Sequence, residues 1–132
     1  MVSYSVRPFS VDEAKQVLKT KPQQLSLEEM YMVAQTYEPG SREFNEVMET
    51  AVRMYPDDPT ANINAACTRM ESGDLEGAKR YLSKAGNSPQ ALHAKGVMAM
   101  LEGNTGQARQ LLNQAKQAGA QGVDKNLQIL DM

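Results

Sequence analysis

Tryptophan is absent from these 132 residues, and only two phenylalanines and five tyrosines occur. No large aromatic cluster can therefore organise the interior, and the apolar volume has to come from Ala, Leu and nine Met, the last of which fill irregular gaps between helices. The single cysteine, Cys67, excludes an intramolecular disulfide and leaves the redox compartment unreadable. His93 is the only histidine, and one Cys with one His cannot supply a zinc site, so no metal or other cofactor is expected. No apolar run approaches the roughly 20 residues that span a bilayer. Residues 1–20 also lack the basic start and apolar stretch of a signal peptide, so direct membrane insertion is not expected. Fourteen bases against sixteen acids leave a net charge of −2, without a basic run that could follow a phosphate backbone, which excludes nucleic acid as an expected partner.

What the chain does contain is a repeat. Gly73-Asp74-Leu75-Glu76-Gly77-Ala78 aligns with Gly103-Asn104-Thr105-Gly106-Gln107-Ala108, and the register continues through Leu82 with Leu112 and Ala85 with Ala115, at a constant offset of 30 residues. Each copy follows a segment opened by proline, at Asp58-Pro59 and Ser88-Pro89, again 30 apart. A period of this size signals stacked helical hairpins, each of which buries its apolar face only against the next.

Val2-Ser3-Tyr4-Ser5-Val6-Arg7 alternates apolar and polar like a half-buried strand. No later segment reads as its pairing partner, so residues 1–9 are expected to be an extended tail of a preceding domain and residues 10–132 a helical domain. Ser10-Val11-Asp12-Glu13 and Ser26-Leu27-Glu28-Glu29 are capping boxes, which start helices by satisfying free amides. The first helix stops at Lys21-Pro22. The second places Leu27, Met30, Tyr31, Ala34 and Tyr37 on one face and runs to Glu38-Pro39-Gly40. Ser41 caps a third helix bearing Phe44, Val47, Met48, Ala51 and Tyr55, after which Pro56-Asp57-Asp58-Pro59 ends one helix and caps the next. The repeated part is expected to run as helices to Ser72, from Leu75 to Ala85, Pro89 to Leu101 and Thr105 to Ala118. A short lid follows from Val123 to Leu130, turning Val123, Leu127 and Leu130 inward.

Over Pro59–Ala118, and partly over Ser26–Pro59, the chain resembles the tetratricopeptide repeat (TPR) family. The likeness rests on the small residues Ala66 and Gly96 midway along first helices, on Ala78, Leu82, Ala85 and Ala108, Leu112, Ala115 along second helices, on the Gly73-Asp74 and Gly103-Asn104 turns, and on Pro56. Departures are Asn62 and Leu92 where that family has an early aromatic, Phe44 where it has a small alanine, and a period four short of the usual 34 or so. The resemblance implies an all-α, right-handed array of antiparallel helix hairpins, about 7–8 helices with a short C-terminal capping helix. More faintly, the whole chain resembles the helical region that follows OmpA-like domains in envelope proteins of Gram-negative anaerobes. That resemblance implies a structural or oligomerisation module in the periplasm, packed on its own neighbouring envelope domain; otherwise the expected compartment is the cytoplasm.

Chemistry is sparse. Cys67 and His93 form the one conceivable nucleophilic pair, with no acidic residue evident as a third member, and the outcomes these residue types favour are a buried thiol and a surface imidazole. Asp57 and Asp58 read as turn and cap residues, and Gly103-Asn104-Thr105-Gly106 lacks the Gly-Lys-Ser/Thr that completes a phosphate loop. No enzymatic activity is expected. Stacked hairpins instead leave a concave face, built from first helices, that can hold a protein or peptide partner. The residues expected there are Glu29, Val33 and Thr36 on the first hairpin. The second contributes Thr60, Ile63, Asn64 and Cys67, and the third Gln90, His93, Val97 and Met100. Some TPR modules clamp a terminal carboxylate with bases on this face. Glu29 and His93 stand where such bases belong and only Asn64 matches, so a carboxylate clamp is not expected.

Overall fold

The computed structural model describes residues 9–131, so the strand expected over residues 2–7 lies outside the described part. Among the described residues there are eight α-helices, one 3-10 turn and no strand. They fall into two compact units that divide between Met54 and Tyr55, next to the Pro56-Asp57-Asp58-Pro59 punctuation.

The first unit holds α1 (Val11–Thr20), a 3-10 turn (Pro22–Gln24), α2 (Leu27–Ala34) and α3 (Arg42–Met54). Both capping boxes form: the Ser26 amide donates to Glu29 Oε1 at 2.9 Å while the Glu29 amide donates to Ser26 Oγ at 3.1 Å, and Ser10 with Glu13 repeats the exchange. Ser41 caps α3 by accepting from the Phe44 amide. Ala14, Leu25, Met30, Val33 and Ala34 are buried from the α1–α2 side, and Val47, Met48, Ala51 and Val52 from α3. The second helix ends three residues before the expected Tyr37. Its last turn tightens as the Thr36 and Tyr37 amides bond the Val33 and Ala34 carbonyls three residues back.

Ser26→Ala is expected to cost about 0.5–2 kcal/mol through loss of this cap, read as a lower urea midpoint; an unchanged midpoint would mean α2 does not depend on it. The Ser26 amide, by donating to the Glu29 carboxylate, holds its pKa below the ordinary glutamate value. The folded value being depressed, the stabilisation is complete above the unfolded value and is lost as pH falls through the folded one. Glu29→Gln should therefore flatten part of the acid limb of the stability profile, measured as urea midpoints between about pH 7 and about pH 3. A limb of the same steepness in the variant would contradict this.

The second unit contains α4 (Pro59–Ser72), α5 (Leu75–Leu82), α6 (Pro89–Leu101), α7 (Thr105–Gln117) and α8 (Val123–Leu130). Helices α4 and α5 form one hairpin, α6 and α7 the next, and α8 lies on α7 and α6. Asp58 and Ser88 cap α4 and α6 by accepting from the Ala61 and Ala91 amides, with Pro59 and Pro89 in the first turns, where a missing amide costs little. Each first helix then ends on a left-handed glycine, Gly73 at φ 85° and Gly103 at φ 81°. The amides of Asp74 and Asn104 reach back to the carbonyls of Arg69 and Ala99, while their side chains accept from Gly77 and Gln107 to start the next helix. One Gly-Asp or Gly-Asn pair thus closes one helix and opens another. Like α2, α5 stops three residues early, at Leu82 instead of Ala85, through bonds from Lys84 and Ala85 to carbonyls three residues back.

The repeated small residues sit at the helix crossings. Ala66, Ala78, Ala108 and Ala115 are fully buried, Ala85 nearly so, and Gly96 is buried. A Cβ added at Gly96 would lie 2.7 Å from Leu112 Cδ2 and 3.3 Å from the Leu112 backbone nitrogen, closer than carbon atoms pack. Hydrogen is the only substituent that fits where α6 crosses α7. Under α8, Leu112, Ala115 and Val123 make a small core that Leu127 and Leu130 cover. Asn62, at the position of the missing aromatic, is 1% exposed. Its amide nitrogen donates to the Pro56 and Asp58 carbonyls at 3.0 and 2.8 Å, so the side chain pins the turn before α4 instead of filling a core.

Candidate functional site

The second unit carries a groove of about 450 Å³. Proline-opened helices α4 and α6 run side by side, and mostly half-buried residues of the two form its walls: Ile63, Cys67 and Met70 from α4, and Gln90, His93, Ala94 and Val97 from α6. Gly119, Ala120 and Gln121, in the turn from α7 to α8, close one end. That turn is placed by the Gly119 and Ala120 amides, which bond the Lys116 and Ala115 carbonyls at the end of α7.

Five residues expected on a concave face meet here: Ile63, Cys67, Gln90, His93 and Val97. The others lie elsewhere. Thr60 is exposed in the first turn of α4, and half-buried Asn64 offers its carbonyl to Thr68. Met100 does not line this groove and packs, half-buried, on the Leu112, Ala115 and Val123 core. Glu29, Val33 and Thr36 belong to the first unit. There Glu29 is engaged in the Ser26 cap, and Thr36 sits in the turn beyond α2 with its hydroxyl on the Val33 carbonyl. Val33 is fully buried, so the expectation that it faces a partner is corrected: with Met30 and Ala34 it forms the inward stripe of α2. Sequence reasoning missed the closing turn altogether. Its only signal is the pair Gly119 and Gly122, which marks a turn but not where it points.

The chemistry of the groove is quiet. Burial, and then the nearby Glu71 carboxylate, push the Cys67 thiol above its ordinary pKa, the reverse of what an attacking thiolate needs. His93 Nε2 lies 2.7 Å from Asn126 Oδ1 on α8, so the imidazole is held against the capping helix by an amide oxygen and not by a carboxylate. No group of three or more His, Cys, Asp or Glu able to hold a metal occurs among the described residues.

A smaller hollow of about 270 Å³ lies on the other side of α6, against α5 and α7, and is the more charged of the two. Its charges are engaged within the chain: Lys79 pairs with Glu102, and Lys95 Nζ donates to the Gly86 carbonyl at 2.7 Å and to Asn87 Oδ1 at 3.1 Å. The Glu102 hydrogen bond and charge hold the Lys79 ammonium above its ordinary pKa.

No family model matches the chain, and no curated protein matches it. Among solved structures it is similar to a thermophilic TPR protein of Thermus thermophilus, at a TM-score of 0.59 and 15% identity, over 89% of this chain and 68% of that one. At that identity the likeness concerns the fold, which is a TPR-like stack of helix hairpins.

Proposed function

From a TPR-like fold, a kind of architecture that serves at a general level as an interaction scaffold, we propose that this chain is a noncatalytic protein-binding module that holds a partner segment in the groove between α4 and α6. The observation that carries the reading is that adjacent first helices bring five of the expected face residues together in one open groove, with its cysteine held as a thiol. A groove of this volume lies within the range of ligand sites, about 300–1,000 Å³. The two lining groups with nucleophilic potential are restrained, the Cys67 thiol by a raised pKa and the His93 imidazole by its bond to Asn126. Binding of an extended segment along paired helices uses preformed walls and requires little rearrangement.

The test is site-specific photocrosslinking. A photoreactive residue replacing half-buried Val97 should capture a defined partner in cells, whereas the same residue at exposed Ser83, just past the end of α5, should not. Capture should disappear when Ile63→Glu places a charge on the facing wall. Equal capture from Val97 and Ser83, or capture indifferent to Ile63→Glu, would remove the groove from the account.

A further inference from the structure

Resting on the reading of the groove as a peptide site, we infer that its occupant is an internal stretch of polypeptide that inserts an uncharged large aliphatic or methionine side chain, and not a chain terminus or a charged motif. Four observations lead there. Among the described residues no Asp, Glu, Lys or Arg side chain lines the groove, so a charged group entering it would give up part of its water without gaining a counter-charge, which is unfavourable. After burial, the Glu71 carboxylate also raises the Cys67 thiol, and the same negative field opposes an incoming carboxylate. His93, the one lining side chain able to become cationic, has its Nε2 directed to Asn126 Oδ1 at 2.7 Å and not into the open groove. Finally, the polar groups that remain are the Gln90 and Gln121 amides, both exposed, one on α6 and one in the α7–α8 turn. A primary amide offers a donor and an acceptor together, which matches the alternating N–H and C=O of a peptide backbone better than any ion. Between them, Ile63, Val97, Met70 and the small Ala94 give an apolar bed in which the flexible Met70 side chain can adapt to the inserted chain.

The experiment selects binders from displayed peptide libraries, presented both internally and with free C-termini, on the full chain. Each binder is then tested for protection of Cys67, the only cysteine and a half-buried one, from alkylation by iodoacetamide at alkaline pH, where the free chain is first shown to label despite the raised thiol pKa. The expected result is that protecting peptides carry Leu, Ile, Val or Met at a fixed internal position, with acidic and basic residues depleted beside it. Gln90→Lys, a change at an exposed position, should then improve binding of peptides with Asp or Glu next to that anchor by about two- to fivefold, the effect of one exposed ion pair. Protecting peptides anchored by a C-terminal carboxylate or a charged side chain would overturn this inference while leaving the groove a peptide site. The absence of any protecting peptide would overturn both. Protecting peptides whose affinity ignores Gln90→Lys would overturn the placement of the occupant beside Gln90.

Discussion

Leu112→Ala is expected to lower the stability of the second unit by about 2–5 kcal/mol, the cost of removing a large buried side chain and leaving its cavity. Leu112 is fully buried, shares a core with Ala115 and Val123, and fills the space left by the missing side chain at Gly96. It therefore joins two layers at once, the α6–α7 crossing and the seat of α8. Its neighbours Ala115 and Gly96 are too small to fill the gap, whereas Leu127, Leu130 and Met100 can relax toward it in part, so the loss is expected within that range. Urea unfolding followed by hydrogen exchange of α7 amides reads the effect. A loss below about 1 kcal/mol would mean that the site collapses freely and that Leu112 is not a junction.

Gly96→Leu is the converse change and is expected to cost about 1–3 kcal/mol or more through overpacking. The first added atom already lies 2.7 Å from Leu112 Cδ2, and the Leu112 backbone nitrogen 3.3 Å away limits any escape by side-chain rotation. α6 must therefore move off α7. Because α6 also supplies Gln90, His93 and Val97 to the groove, the variant should lose peptide binding as well as stability. Wild-type melting behaviour in Gly96→Leu would remove the close crossing from the account.

The hairpins were legible because a repeat in the chain is a repeat in space. Ala78 and Ala108, paired in the sequence by offset alone, are both fully buried at equivalent crossings. Helix starts were legible for a local reason, since Ser10, Ser26, Ser41, Asp58 and Ser88 all cap the helices that they precede. Helix ends at α2 and α5 were not, because no glycine stands directly after Ala34 or Leu82 and the last turns change hydrogen-bond spacing instead. The candidate site divided along the same line. Ile63, Cys67, Gln90, His93 and Val97 follow from helical spacing on two neighbouring helices. Met100 lies on the same helix, but α8 folds over that end, and only the tertiary path of the chain decides this. Val33 was misplaced because α2, eight residues long, buries a stripe of Met30, Val33 and Ala34 too broad to leave position 33 to solvent. Gly119, Ala120 and Gln121 reach the groove through the α7 C-cap, whose direction no local pattern encodes.

The account depends on one steric relation, a bare backbone at Gly96 meeting a full side chain at Leu112, and a double-mutant cycle between the two measures it directly. Gly96→Ala is introduced into the wild type and into Leu112→Ala, so that alanine's gain in helix propensity, about 1 kcal/mol, cancels between the two backgrounds. The account predicts that the alanine is better tolerated by at least about 0.5 kcal/mol when Leu112 is gone, within the range for residues in contact. Costs that add to within about 0.3 kcal/mol would show that the two positions do not meet, and the nested crossing beneath the groove would be contradicted.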